Sequence, residues 1–596
     1  MRYIISCENP HRHFIQIEFI VPVLAQNLAP LQLQLPSWRP GRYTLQNFAK
    51  NIRAFAVYDE KGNLLAFKKI TKDSWQVKQE GAKQVHVKYE YYANVLDAGS
   101  SYLDEKQLYV NPVNCLLYVP GREGEKCEVE VRVPENYKIA SPLTPLPWRG
   151  EQRPILEAAD YHVLADSPFI ASSTLKHYTF TVPSAPLSLG EGQGGEALVD
   201  FHLWFQGESK PEFEKIENHF RKFIAAKLNV FGEFPFSEYH FLFQIAPFPL
   251  YHGVEHQNST VIALGPSYDL MKEQLYAEFL GISSHELFHA WNVKAIRPAE
   301  MQPYDYSKEN YSKLGYVAEG VTTYYGDLML FRSGAVTEYE FNRNLHLLLQ
   351  KYFHNYGRFN LSVGASSLDT WLDGYEKGIP HRKVSIYNEG ALCALMLDLL
   401  IRKQTGNDFS MDDVLRKLYQ DFGKKGIGYT EEDYRKALES VAGISFADFF
   451  AKYYNGTQSY EPILRETFAY VGLEIKDSRS KYYFENRFGF KAENKRSGAL
   501  MITEVAPNSI ADRAGLSEAD ELVAVNGIKL LNNLKEWLKY FEEETVTLTI
   551  LRASETKNVS LTPTTERYYR TYWPVKMRDA SEHQKENYKK WTGREW

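Results

Sequence analysis

The stretch His285-Glu286-Leu287-Phe288-His289-Ala290-Trp291-Asn292-Val293-Lys294-Ala295-Ile296-Arg297-Pro298 decides how the rest of the chain is read. It opens with HExxH, and apolar residues recur at helical spacing from about residue 271 to 292, so the motif falls on a predicted helix. Side chains four apart on a helix stand one turn apart on the same face, and His285 and His289 can point both imidazoles at one ion. Glu286 then projects beside that ion as a general acid/base. Residue frequencies alone put HExxH in roughly three per cent of chains of this size, so the helical context carries the reading. A catalytic Zn2+ takes three protein ligands and keeps one position open. Glu319 is the leading candidate for the third ligand: it lies in a second helical pattern, residues 314 to 332, with room between for a loop and an antiparallel return. Asp305, Glu309 and Asp327 are its rivals.

Away from this segment the 596 residues are too many for one hydrophobic core, and about 150 residues per domain suggests three or four domains. With 44% hydrophobic and 24% charged residues the composition is that of a globular protein. A formal net charge of -6, with no dominant Lys/Arg run, argues against nucleic acid as a partner. No run of 18 apolar residues occurs and the N-terminus has no signal-peptide core, so neither a membrane span nor a leader is expected. Cys7, Cys115, Cys127 and Cys393 have no CxxC spacing, which together with the missing leader points to a reducing, cytoplasmic home.

From residue 1 to about 178 short alternating strands dominate, such as 14–21 and 85–91, and predict a β-sandwich. Residues 186–197 form a Gly-rich stretch expected as a loop. Residues 179–465 read as mostly helical, with patterns at 210–228, 271–292, 314–332, 337–353, 387–404 and 411–422, and a few strands near 238–262. Strand patterns at 498–505 and 546–551 bracket a compact unit, residues 466–565, and 566–596 remain as an aromatic, charged tail expected to pack on its own protein. The fold class expected is multidomain α+β.

With these residues in view, the chain resembles the glycyl aminopeptidase family, gluzincin metallopeptidases with an N-terminal β domain, a thermolysin-like catalytic domain and a C-terminal PDZ domain. The resemblance rests most on His285 to Pro298, which is similar to the family's extended HExxH-WNVK-IRP segment. Ser37-Trp38-Arg39-Pro40-Gly41-Arg42-Tyr43 resembles its W-x-PG-x-Y turn, read as an anchor of the β domain. His252-Gly253-Val254-Glu255-His256 is similar to the family's GGxEH strand, with His252 where the family has glycine; the resemblance makes Gly253 and Glu255 substrate-binding residues, Glu255 holding a free α-amine. Tyr387-Asn388-Glu389-Gly390 resembles the Y-x-KG segment of aminopeptidase N relatives, with Glu389 in place of lysine, and implies that Tyr387 stabilises the transition state. Arg487-Phe488-Gly489-Phe490 resembles a PDZ carboxylate-binding loop, implying a C-terminal peptide ligand, and Ala519 stands where such domains carry glycine.

The function these residues imply is a Zn2+-dependent aminopeptidase removing small N-terminal residues, Gly or Ala, from peptides with a free N-terminus. Two alternatives remain open: a zinc endopeptidase, since HExxH chemistry needs no free amine, and a catalytically weak PDZ-bearing binding protein. The intact Glu286 argues against the second, because a purely structural metal has no use for a neighbouring base.

Overall fold

The computed structural model describes residues 1–596 apart from 24–28, 80, 146–153, 187–196 and 497. The Gly-rich stretch at 186–197 therefore lies, except at its ends, outside the described residues. The chain divides into two compact units, one comprising Met1–Thr337, Ser367–Glu376 and Gln404–Phe446, the other Glu338–Ser366, Lys377–Lys403 and Ala447–Trp596.

The first unit begins with a β-rich domain. Alternation along Phe14–Pro22 buries Ile15, Ile17, Phe19 and Val21 and turns Gln16 and Glu18 outward. Its antiparallel register with Gln84–Tyr92 sets these residues opposite Tyr91, Tyr89, Val87 and Val85, so the apolar faces of both strands coincide. The pair sits within a sheet that has seven strands among the described residues, of which only Arg2–Ser6 and Cys127–Arg132 run parallel as neighbours. A three-stranded sheet, Leu31–Gln34, Ser74–Val77 and Phe67–Lys69, closes the same core with Leu31, Leu33, Trp75 and Val77. Each such aliphatic or aromatic side chain taken fully out of water contributes roughly 1.5–3 kcal/mol.

A five-stranded sheet follows, in the order Lys176–Pro183, Leu198–Gln206, Glu238–Ile245, Ser259–Gly265, Leu250–Glu255. The three central strands are mutually parallel, and helix Phe213–Phe231 makes the crossover between the first two of them. Leu250–Glu255 joins antiparallel as the edge strand. Near it runs helix Glu273–Phe288, packed on Thr322–Arg332 so closely that a β-carbon at Gly326 would stand 3.3 Å from the His285 Cα. The pattern over 271–292 predicts a longer helix than the one observed. The chain leaves it at His289, where the last turn tightens: Ala290 N–H donates to Leu287 O and Trp291 N–H to Phe288 O, each three residues back (both 3.1 Å).

The second unit holds helices Glu338–His354 and Glu461–Tyr470, most of Asn388–Thr405, and a C-terminal six-stranded sheet with Phe490–Asn494 at one end. Residues 566–596 do pack on their own unit: Thr571–Lys576 pairs antiparallel with Leu473–Ser478, and helix Glu582–Thr592 buries Tyr588 and Trp591. The four cysteines are unpaired, and among the described residues no helix is long and apolar enough to cross a membrane.

Candidate active site

The HExxH helix brings His285 and His289 together, with their Nε2 atoms 3.2 Å apart. Glu319 Oε2 stands 3.7 Å from His285 Nε2 and 3.5 Å from His289 Nε2. Tetrahedral coordination with zinc–ligand bonds of ~2.0–2.1 Å separates ligand atoms by ~3.3 Å, so this donor set, buried except at His285, fits a small divalent metal. Glu319 lies on Tyr316–Val321, one turn of π-helix that runs directly into Thr322–Arg332. That widened turn is one of the short π segments that recur at functional sites. The ring of His289 is set by its other nitrogen: Nδ1–H donates to Asn292 O at 2.7 Å, leaving the Nε2 lone pair for a metal. Asn292 thus orients one candidate ligand, His289, through its carbonyl and ties the turn carrying another, Glu319, through its amide.

Burial pushes Glu319 upward, but the two histidines outweigh it and hold its carboxyl below the ordinary glutamate range. Glu286 has the opposite balance. Burial dominates, Glu255 and Glu319 add to it, and the carboxyl is held well above the ordinary glutamate range. Its Oε2 is buried without a hydrogen bond, as is Glu255 Oε1, and oxygens of both lie with a His289 nitrogen inside a 4.8 Å cluster. Two buried acceptors without donors, beside a metal-ready triad, suit a ligand that brings N–H groups.

Gly253 and Glu255 share the face of the edge strand that looks toward Glu286, as the two-residue period requires. A β-carbon at Gly253 would overlap the Glu286 carboxylate. His252 is one residue out of phase. It stands 3.3 Å from Arg39 Nη2 and 3.8 Å from Asp97, which explains how this chain carries histidine there without filling the space in front of Glu286.

The Trp38 turn does more than anchor the β domain. Trp38 is buried against Tyr304 and Trp371 and donates from Nε1 to Asp305 O (2.8 Å). Gly41, at φ +76°, lies so close to Glu255 that a β-carbon would meet its carboxylate. Arg39 is buried as well, and it interacts electrostatically with Glu255. Arg39, Gly41 and Asp97 were not among the residues expected at the site; the W-x-PG-x-Y turn was the signal for the first two.

The remainder of the extended motif is structural. Trp291 stacks on Phe231 (4.7 Å, 6°) and donates to Glu233 O. Lys294, its side chain fully buried, reaches Asp166 at 3.0 Å, and His256 Nδ1 meets the same carboxylate at 3.0 Å. Tyr387 belongs to the second unit, partly buried just before helix Asn388–Thr405, where its carbonyl accepts from Ala391 N (3.0 Å).

A helix-borne histidine pair, a downstream glutamate and a poised second carboxylate define a metallopeptidase-type centre. Comparison with known proteins takes this further. Residues 2–173 match the Peptidase M61 N-terminal domain, 278–393 the M61 glycyl aminopeptidase domain and 501–552 a PDZ domain. The chain therefore carries matches to both domain models of the M61 glycyl aminopeptidase family together with a PDZ domain. A crystal structure of an aminopeptidase N family protein from Idiomarina loihiensis is similar over 99% of both chains, with 25% identity and a TM-score of 0.87. An M1 zinc metallopeptidase from Deinococcus radiodurans covers 77% of this chain and 94% of its own, with 12% identity and a TM-score of 0.46. Over 153 residues the chain is 27% identical to a probable CtpA-like serine protease of Staphylococcus aureus, of which it spans 30% of the length.

Proposed function

We propose that the protein is a zinc-dependent aminopeptidase that removes N-terminal residues, preferably Gly and Ala, from peptides. The observation that carries this reading is the pair of buried carboxylates, Glu286 and Glu255, each with an oxygen that makes no hydrogen bond, beside His285, His289 and Glu319. The three ligands would hold Zn2+, which when bound supplies Lewis acidity toward the scissile carbonyl and the attacking water. Glu286 takes the proton from that water and delivers it to the leaving amine, a role suited to a carboxyl whose affinity for protons is raised by burial. Glu255 receives the substrate's α-ammonium, which confines cleavage to the first peptide bond. Gly253 leaves room for Glu286, and Tyr387 donates to the developing oxyanion. The preference for a small first residue follows the family description, glycyl aminopeptidase.

In this reading residues 1–178 form the β domain, 179–465 the peptidase domain and 466–565 the PDZ domain, followed by 566–596. The end strand Phe490–Asn494 is where a C-terminal peptide would add to the PDZ sheet, its carboxylate on the loop before it.

The test is hydrolysis of aminoacyl reporters and of one peptide in free and N-acetylated form, with and without chelator. Chelator should abolish activity and acetylation should block cleavage. Equal cleavage of both forms would instead establish an endopeptidase and remove the role of Glu255. Glu286→Gln should bind zinc normally yet lose several orders of magnitude in kcat, and a fully active variant excludes Glu286 as the base.

A further inference from the structure

A second cluster of metal-ligating side chains lies on the five-stranded sheet, formed by residues other than those of the peptidase centre. His202 on Leu198–Gln206 and His240 on Glu238–Ile245 are register partners of two parallel strands, so both side chains project from the same face. Glu238, two residues before His240, projects from that face too. The imidazoles stack with centroids 4.4 Å apart and planes 15° from parallel. Glu238 Oε1 is 3.6 Å from His240 Nε2, and Oε2 is 3.8 Å from His202 Nε2. Ligand atoms from the three residues fall within 4.8 Å of one another. Donor types and histidine–glutamate separations nearly repeat those of the peptidase centre, where Glu319 lies 3.5 Å and 3.7 Å from its two histidines.

Two further observations point to a ligand. The His240 side chain is only 7% exposed, and its Nε2 makes no hydrogen bond. The His202 ring is oriented from its other side, with Nδ1 3.0 Å from His177 Nε2 and 3.1 Å from Thr179 Oγ1, so its Nε2 faces Glu238. Partners on the far nitrogen are the usual means of aiming a histidine at a metal.

We propose that His202, Glu238 and His240 form a second metal site, for a late first-row divalent cation such as Zn2+. Two imidazoles and a carboxylate suit such an ion better than Ca2+ or Mg2+, which take oxygen ligands. Side-chain exposure of 41% at Glu238 and 18% at His202 leaves a water-accessible side to complete the shell. Coordination through His240 Nε2 places the ring proton on Nδ1, so the contact from Trp204 Nε1, 3.3 Å in this structure, must give way. One long hydrogen bond is a small loss beside a metal–ligand bond. The cation would join two neighbouring strands through side chains that take no part in peptide hydrolysis.

The test uses the full-length protein, stripped with chelator and titrated with Zn2+, with bound metal per chain measured by equilibrium dialysis. Two equivalents of micromolar affinity or tighter are expected. His202→Ala and Glu238→Gln, both at the water-accessible side, should each lose one equivalent and keep peptidase activity, while His289→Ala should lose the other equivalent and the activity. Zinc should change Trp204 fluorescence in the wild type, because coordination removes its hydrogen bond to His240, read as the difference from Trp204→Phe, and should not in His202→Ala. A single equivalent that vanishes in His289→Ala and is untouched by His202→Ala would overturn the proposal. So would a second equivalent of only millimolar affinity, or one that survives both sheet variants. Failure of the peptidase reading has a different signature: wild-type protein that binds the His202-dependent equivalent but has neither a His289-dependent one nor peptidase activity.

Discussion

Gly253 and Glu286 meet across the candidate active site: a β-carbon at residue 253 would overlap Oε1 of the glutamate and stand 2.7 Å from its Cδ. Gly253→Ala must therefore move the carboxylate that the mechanism needs in place. A displacement of about 1 Å at a reacting group costs on the order of 100-fold in rate. Steady-state kinetics should show kcat lower by about that factor, with zinc content and thermal stability near wild type. An unchanged kcat would mean that Glu286 tolerates the shift and that the proposed geometry is wrong.

Lys294→Met should destabilise the fold without touching the proposed metal ligands. It leaves the largely buried Asp166 without its ammonium partner, a loss of about 3–5 kcal/mol. In the wild type, burial raises the Asp166 carboxyl but Lys294 and His256 outweigh it, taking it from 3.8 to about 2. A carboxyl lowered in the folded state contributes stability that is complete above its unfolded value and is lost as pH falls toward the folded one. Urea unfolding should therefore show wild-type stability declining between about pH 5 and pH 2, by roughly 2–3 kcal/mol from this group. The variant, already weaker at pH 7, should lack that part of the decline. Equal stability of the two proteins at pH 7 would refute the buried pair as a stabilising contact.

Ala519 sits at φ +68° in the C-terminal domain, the turn position where glycine was expected from the sequence. A β-carbon in the left-handed region costs ~1–2 kcal/mol, and glycine returns ~0.4–1 kcal/mol of that through its freer unfolded chain. Ala519→Gly should stabilise this domain by about 0.5 kcal/mol. Hydrogen exchange along the neighbouring strand Glu521–Val525 should slow about twofold. Faster exchange would show that the turn is unstrained as it stands.

Tyr387→Phe removes one hydroxyl. If that hydroxyl donates to the developing oxyanion, kcat should fall about 100- to 1,000-fold with KM nearly unchanged. A variant with full kcat would return Tyr387 to a capping role before the helix it precedes.

Much of this molecule could be read from local patterns. Alternation placed Ile15, Ile17, Phe19 and Val21 on one face, and the strand pairing used that face as the core. The histidine pair was equally legible, because the spacing of residues i and i+4 is a property of any helix, whatever it packs against. Glu319 needed one further assumption, a second helix returning past the first. The π turn that carries it stayed invisible, since one extra residue in a single turn does not disturb a 3.6-residue apolar pattern.

What local pattern could not supply is the part of the site that comes from far along the chain. Arg39 lies 213 residues from His252, and Asp166 lies 128 residues from Lys294, yet each pair is in contact. Burial and pairing depend on which surfaces meet, and no periodicity encodes that. The extended motif from His285 to Pro298 marked a candidate metal helix by itself, but why it continues to Lys294 became clear only once the largely buried carboxylate of Asp166 was seen beside it. The same holds for His202 and His240, ordinary strand residues in sequence, which parallel pairing brings face to face.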